Sequence, residues 1–206
     1  NGGVYNDLDM SHLQLEKYKA KPAECFKTIK KLFSKTGDKA EPNDGHKIIG
    51  KWESEGIVKS VITQNVDNLH QEGGSKTVYE LHGNGKDLVC LSCGNIDHFE
   101  GLIEIDYPKC SICGKTSKPG FTFFGEQLPT EPLTKSIEEV EKCDVMIIIG
   151  CSGEVYPAAG LPMKAKTNNA FIIEINPNIS HYTGRIADIT LSGKSGEILV
   201  KLDELI

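Results

Sequence analysis

Arginine is almost absent from this 206-residue chain: Arg185 stands alone among 23 basic side chains. The residue best suited to planar, two-pronged capture of carboxylates and phosphates is therefore scarce, and any anion held here must rest mainly on backbone amides or lysine. The formal charge of −6 argues against a nucleic-acid binder that works by broad phosphate neutralisation. No apolar run approaches the roughly 20 residues that span a bilayer. The opening NGGVYNDLDM has neither a basic nor an apolar signal region. These absences predict a soluble, intracellular protein, cytoplasmic or nuclear, with no membrane partner. Repeats and low-complexity tracts are also absent.

What the chain does have is cysteine in a pattern. Cys90/Cys93 and Cys110/Cys113 form two Cys-x-x-Cys knuckles separated by sixteen residues, each followed by glycine (Gly94, Gly114) that lets backbone amides turn toward the thiolates. This is the spacing of a tetrahedral zinc ribbon. Four thiolates leave no position for water or substrate, so the metal should be structural and the chemistry should lie elsewhere. The alternative is two disulfides in an exported protein. It fits poorly with an odd count of seven cysteines, of which Cys25, Cys143 and Cys151 lie in apolar or Gly-rich stretches.

Periodicity predicts an amphipathic helical stretch from about Leu13 to Phe33, split by Pro22, and a second helix opening at Pro42-Asn43 and ending near Gly56. The β-branched runs Ile57 to Thr63, Val145 to Ile149 and Phe171 to Ile175 predict buried parallel strands. A helix from about Pro157 to Lys166 completes a βαβ unit, and Ser195 to Leu205 predicts a closing helix. The larger lobe is thus an open α/β sheet. Residues from about Lys86 to Ser117 break the alternation and hold both knuckles, so they are expected to be an inserted zinc lobe.

Ligands of open parallel sheets bind beyond the carboxyl ends of the strands. Gln64-Asn65-Val66-Asp67 offers an amide and a carboxylate two residues apart at one such end, suited to holding the amide of a small polar ring; capping of a following helix explains the same residues equally well. Gly150-Cys151-Ser152 permits close approach of a dinucleotide, although such a turn is common in α/β proteins. Asn176 reads as a turn residue or as a ribose contact. His82, in Glu80-Leu81-His82-Gly83, stands at the edge of the zinc lobe, where a histidine can act as a general base near neutral pH. His12, His98 and His181 read as structural, and His46 and His70 as helix-face residues.

Taken in order, TQNVDNLH (63–70), ELHGN (80–84), the four-cysteine pattern, FFGEQLP (123–129), GCSGEVYPAAGLP (150–162) and EINPN (174–178) resemble the sirtuin family. The resemblance runs from Asn1-Gly2-Gly3 through PNDGH (42–46) to GKSGEIL (193–199). It implies a doubly wound, Rossmann-like NAD-binding domain over residues 1–85 and 118–206, a zinc-binding small domain over 86–117, and NAD-dependent removal of acetyl groups from protein lysines. It implies that Asn65 and Asp67 hold the nicotinamide carboxamide, with Gln64 beside the nicotinamide ribose and Val66 among the cofactor contacts. His82 is implied as the base that deprotonates a ribose hydroxyl once nicotinamide has left. Gly150, Cys151 and Ser152 are implied cofactor contacts, with Asn176 and Pro177 near the adenosine ribose and Ser195 near adenine. FTFFGE (121–126), with Thr122, Phe123, Phe124, Gly125 and Glu126, and GEVYP, with Val155, resemble the two segments between which the family adds an acyl-lysine peptide as an extra strand. If extended, Phe123 and Phe124 point opposite ways, one toward an acyl-lysine tunnel and one into the core; core packing accounts for both as well.

The sequence departs from the family in two places. The N-terminal strand with its Gly-Ala-Gly-x-Ser phosphate loop has no counterpart, which predicts either a fragment or a divergent member; the expectation is a native protein longer than this sequence, with the chain as given impaired in catalysis. Gly153-Glu154 replaces the usual Leu-Val, making the peptide-binding edge more polar. The Tyr-x-x-Arg pair of desuccinylating relatives is missing, which weighs against succinyl-lysine; acetyl and longer apolar acyl groups stay open, with acetyl-lysine ranked first. Two further readings stay open: a catalytically silent NAD- or acyl-lysine-binding fragment, and a zinc-ribbon nucleic-acid module, which the acidic composition disfavours. Mono-ADP-ribosyl transfer, which also occurs among sirtuin relatives, is the alternative activity.

Overall fold

The computed structural model describes residues 9–36, 40–98 and 106–206. The family-like Asn1-Gly2-Gly3 and part of the predicted zinc lobe, 99–105, lie outside them. A 3-10 turn (Met10–Leu13) leads into α1 (Leu15–Ala20), α2 (Pro22–Thr36), α3 (Asp44–Ser54), β1 (Val61–Thr63), α4 (Leu69–Glu72), β2 (Val78–Glu80), β3 (Asp87–Cys90), β4 (Ile96–His98), β5 (Ser117–Pro119), α5 (Thr130–Val140), β6 (Val145–Ile149), α6 (Leu161–Thr167), β7 (Phe171–Ile175), β8 (Ile189–Leu191) and α7 (Ser195–Asp203). Contacts divide the chain into two units, one of Asn1–Ala40, Asn65–Asn68 and His82–Pro129, the other of Glu41–Gln64, Leu69–Leu81 and Thr130–Ile206.

The second unit carries the parallel strands. β1 pairs with β2, and β6, β7 and β8 form a three-stranded sheet in that order, all parallel. The β6-α6-β7 crossover, with α4 between β1 and β2 and α5 ahead of β6, makes this unit the α/β, Rossmann-like part of the fold. Its core gathers Ile49 and Trp52 of α3, Ile175 of β7 and Leu199 of α7. α3 begins where Pro42-Asn43 predicts: Asn43 accepts from the His46 N–H at 3.2 Å, and His46 Nδ1 accepts from the Asn43 N–H at 3.3 Å, a reciprocal cap.

The first unit packs two helices on a small antiparallel sheet. Pro22 separates α1 from α2 as expected, since it supplies no N–H to continue the first helix. Cys25, Phe26 and Ile29 line one face of α2 and meet Leu13, Tyr18, Leu88, Phe121 and Phe123 in the core. The Tyr18 hydroxyl donates to the Ser117 carbonyl at 2.9 Å, fastening α1 to β5. β3 lies between β4 and β5.

Three predicted elements are corrected. The strand expected over Ile57–Thr63 is only Val61–Thr63, because the Ile57 and Val58 N–H groups both donate to the Trp52 carbonyl (2.9 and 3.1 Å) and so finish α3. The helix expected from Pro157 starts as a 3-10 turn, Ala158–Gly160, and becomes α-helical at Leu161. The closing helix ends at Asp203 and does not reach Leu205. No helix among the described residues is long and apolar enough to cross a membrane.

Candidate active site and metal centre

The four knuckle cysteines come together as their spacing predicts, with all four sulfur atoms within 4.8 Å of one another. Cys90 Sγ accepts from the Ser92 and Cys93 amides, both at 3.4 Å, and Cys110 Sγ from the Ile112 and Cys113 amides at 3.4 and 3.5 Å. Those turns close because Gly94 and Gly114 take left-handed φ values of 73° and 69°. The amides of Cys93 and Ser92 draw the Cys90 thiol down to about 6. Cys93 receives a lowering bond from Asn95, yet its neighbouring thiols push it up to about 12. Four sulfurs this close cannot all be thiolates unless a dication offsets their repulsion, so the donor set fits a structural zinc.

On the same unit, two candidate segments are bonded to each other. The Gly85 N–H donates to the Val66 carbonyl at 2.9 Å, joining Asn65-Val66-Asp67 to His82-Gly83-Asn84-Gly85. Val66 packs its side chain on the core, while Asn65 and Asp67 on either side of it are exposed. His82 is half-buried, and its carbonyl accepts from the Thr122 N–H at 2.7 Å. Gly83 has φ +68°, and a Cβ there would stand 2.2 Å from the Gly120 carbonyl oxygen, so only glycine fits beside His82.

The segment after Gly120 alternates as its sequence suggests. Phe121 and Phe123 are buried and stacked, 4.9 Å between centroids, and Phe123 meets Tyr18 edge-on at 5.1 Å. Phe124 is 60% exposed. Both of its backbone groups are engaged: its N–H donates to the Leu13 carbonyl at 2.9 Å, and its carbonyl accepts from the Leu15 N–H at 3.1 Å. Its ring is thus what this residue offers to a ligand. Gly125 is exposed with φ +91°, and Glu126 turns inward so that its Oε2 accepts from the Phe123 N–H at 2.7 Å. Sequence reasoning missed Lys118, the buried partner of Glu126 at 3.1 Å; a lysine next to a strand proline carries no signal of its own.

On the α/β unit the carboxyl ends of three strands converge, with Ile149, Ile175 and Leu191 in register. The Gly150 N–H donates to the Ile175 carbonyl at 3.0 Å, and the Asn176 N–H to the Leu191 carbonyl at 3.2 Å. Asn176 Nδ2 then reaches back to the Cys151 carbonyl at 3.0 Å, while its own carbonyl accepts from Gly193 at 3.3 Å. Gly150-Cys151-Ser152, Asn176-Pro177 and the Gly193–Ser195 turn that opens α7 are therefore one connected rim. Gln64, at the end of β1, places Nε2 3.6 Å from Cys151 Sγ. The Ser152 carbonyl accepts from His181 at 2.9 Å. Tyr182, whose hydroxyl burial pushes upward in pKa, lies 3.7 Å from the Cys151 sulfur. Val155 is half-exposed, and its carbonyl accepts from the Ala159 N–H at 2.9 Å.

Known proteins are similar to this chain in sequence and in fold. A protein named NAD-dependent protein deacylase from Thermococcus kodakarensis is 43% identical over 171 residues, covering 80% of this chain and 66% of that one. The chain thus spans just under two thirds of that relative's length. Among solved structures, a Sir2 homologue mutant in complex with ADP-ribose superposes with a TM-score of 0.93 at 37% identity, covering 99% of this chain and 82% of that one. Sir2Tm bound to a propionylated peptide gives 0.89 at 30% identity, covering 98% and 86%. The model of the Sir2 family matches residues 1–157, and with that span added to the shared fold the chain belongs to the Sir2 family, the sirtuins.

Proposed function

We propose that this chain is an NAD-dependent protein lysine deacetylase with one structural zinc. The observation that carries the proposal is the Gly85 N–H···O=C Val66 bond, which fastens the exposed Asn65 and Asp67 to the segment holding His82. A carboxamide-reading pair and a candidate base on one bonded framework are what a substitution at a nicotinamide ribose needs.

NAD supplies an ADP-ribosyl group with nicotinamide as the leaving group. Asn65 and Asp67 hold the carboxamide, with Gln64 and Val66 beside them, and His82 accepts a proton from a ribose hydroxyl. The connected rim of Gly150, Cys151, Ser152, Asn176, Pro177 and Ser195 offers backbone amides and short polar side chains to the rest of the dinucleotide, in keeping with the scarcity of arginine. The acetylated lysine of a protein or peptide is the second substrate. Thr122, Phe124, Gly125 and Val155 meet it, while Phe123 and Glu126 support that segment from within. The free thiols and the thiolate metal site are those of a reducing compartment, so the cytoplasm or nucleus is the proposed location.

Mass-spectrometric product analysis of an acetyl-lysine peptide with NAD tests this reading. Deacetylated peptide, nicotinamide and O-acetyl-ADP-ribose should form, and His82→Ala should abolish them. ADP-ribosylated protein in their place identifies a mono-ADP-ribosyltransferase. Binding without turnover identifies an impaired fragment, and neither binding nor turnover refutes the proposal.

A further inference from the structure

The buried lysine that the proposed chemistry does not use sits at the centre of the loop that does the most supporting. Lys118 is 6% exposed. Its ammonium donates to the carbonyls of Pro119 (3.0 Å) and Phe121 (2.8 Å), pairs with Glu126 Oε2 (3.1 Å) and lies 4.8 Å from the centroid of the Phe123 ring. All three of its protons have acceptors, and its charge meets both a carboxylate and an aromatic ring. Glu126 closes the figure, because the same oxygen accepts from the Phe123 N–H at 2.7 Å. The chain from Pro119 to Glu126 is thereby folded around one ammonium.

Backbone hydrogen bonds attach that loop to the rest of its unit at three residues, the first being Gly120, whose N–H donates to the Asp87 carbonyl at 2.7 Å. The Thr122 N–H donates to the His82 carbonyl, and Phe124 is bonded through both backbone groups to Leu13 and Leu15. We infer that Lys118 and Glu126 are a positioning pair: their buried clasp fixes the 119–126 loop, and through Thr122 it sets the backbone of His82 while it presents Phe124. Neither residue touches substrate. The inference rests on the deacylase reading for what His82 and Phe124 do, but the clasp itself can be read without any reaction.

A stabilising ion pair predicts that an apolar replacement restores both stability and activity; a positioning pair predicts that it restores stability alone. The test uses the whole chain as Glu126→Gln, Lys118→Met and the double variant Lys118→Met/Glu126→Leu. Amide exchange of the peptide spanning 117–127 and steady-state kinetics are measured on each. Exchange at Thr122 and Phe123 should quicken at least about tenfold in every variant. Where turnover is measurable, kcat/KM for the acetylated peptide should drop by on the order of 10²-fold, as misplacement of a reacting geometry by about 1 Å does. The double variant should recover its melting temperature and not its kcat. Recovery of both, or unchanged exchange in all variants, overturns the inference. If the single variants do not fold, the double variant decides. If the wild-type chain does not turn over, the deacylase reading fails, and the clasp is decided by exchange alone.

Discussion

The side-chain amide of Asn176 donates to the carbonyl of Cys151 at 3.0 Å, so the end of β7 holds the turn that follows β6. Asn176 is itself buried, and its Oδ1 accepts from the Asn178 N–H at 3.3 Å. One side chain therefore shapes two of the three turns on the proposed nucleotide rim. Asn176→Ala strands the Cys151 carbonyl and should cost about 1–3 kcal/mol, the usual penalty for a buried group left unpaired. It should also weaken ADP-ribose binding by more than the stability loss accounts for. Denaturant midpoints and titration calorimetry measure the two effects. Binding equal to wild type would remove Asn176 from the rim's function.

Gly83 is a second sensitive point. Alanine there must hold a left-handed backbone, at about 1–2 kcal/mol, and its Cβ would press on the Gly120 carbonyl from 2.2 Å. The carbonyl can retreat only by dragging Phe121 and Thr122, whose amide bonds His82. Gly83→Ala should lower the unfolding midpoint and reduce kcat together, and Gly94→Ala, with no atom within 4 Å of its Cβ, supplies the comparison. An unchanged midpoint for Gly83→Ala contradicts the contact.

How much of this was legible in sequence depended on how local the signal was. The zinc tetrad needed only spacing and two glycines, and Val145–Ile149 and Phe171–Ile175 have the bounds their apolar runs suggest. β2 and β8 were not foreseen, because three residues are too few to display a period, and those of β8 include the exposed Ile189 and Thr190. α5 also went unread, its apolar positions Leu133, Ile137 and Val140 being outnumbered by polar ones. Ile57 and Val58 misled for a tertiary reason: they look like strand but are spent closing α3. The Lys118–Glu126 clasp was invisible because it depends on an irregular loop folding round a charge, where neither the helix nor the strand period says which side chains meet.

The zinc tetrad should be essential to the β3-β4-β5 module. Cys90→Ser removes the sulfur that the Ser92 and Cys93 amides orient, and binding energy at a structural thiolate site is folding energy. Purified wild-type protein should contain about one zinc per chain, the complement of four thiolates. The variant should contain none, with loss of protection in 87–98 and 106–119. A chelator in excess should reproduce the variant in the wild-type chain. Zinc content and melting that both match the wild type would show that the cluster is not a metal site.

Acid sensitivity should trace in part to α7. Asp203 Oδ1 accepts from Lys51 Nζ at 2.8 Å and from the Trp52 indole N–H at 2.8 Å, tying α7 to α3. The Lys51 bond first, and the indole second, hold its carboxyl below the ordinary carboxylate range. A carboxyl whose pKa is lower folded than unfolded stabilises the fold fully above the unfolded value, about 3.9, and loses that contribution as the pH falls through the folded value. Asp203→Asn should therefore melt below the wild type at neutral pH, and the gap should close as the solution is taken below about pH 4. Salt should narrow the neutral-pH gap only in part, because the lysine charge is screened while the indole hydrogen bond is not. A gap that stays constant across the acid range would mean that the carboxylate charge contributes nothing to the joint between the two helices.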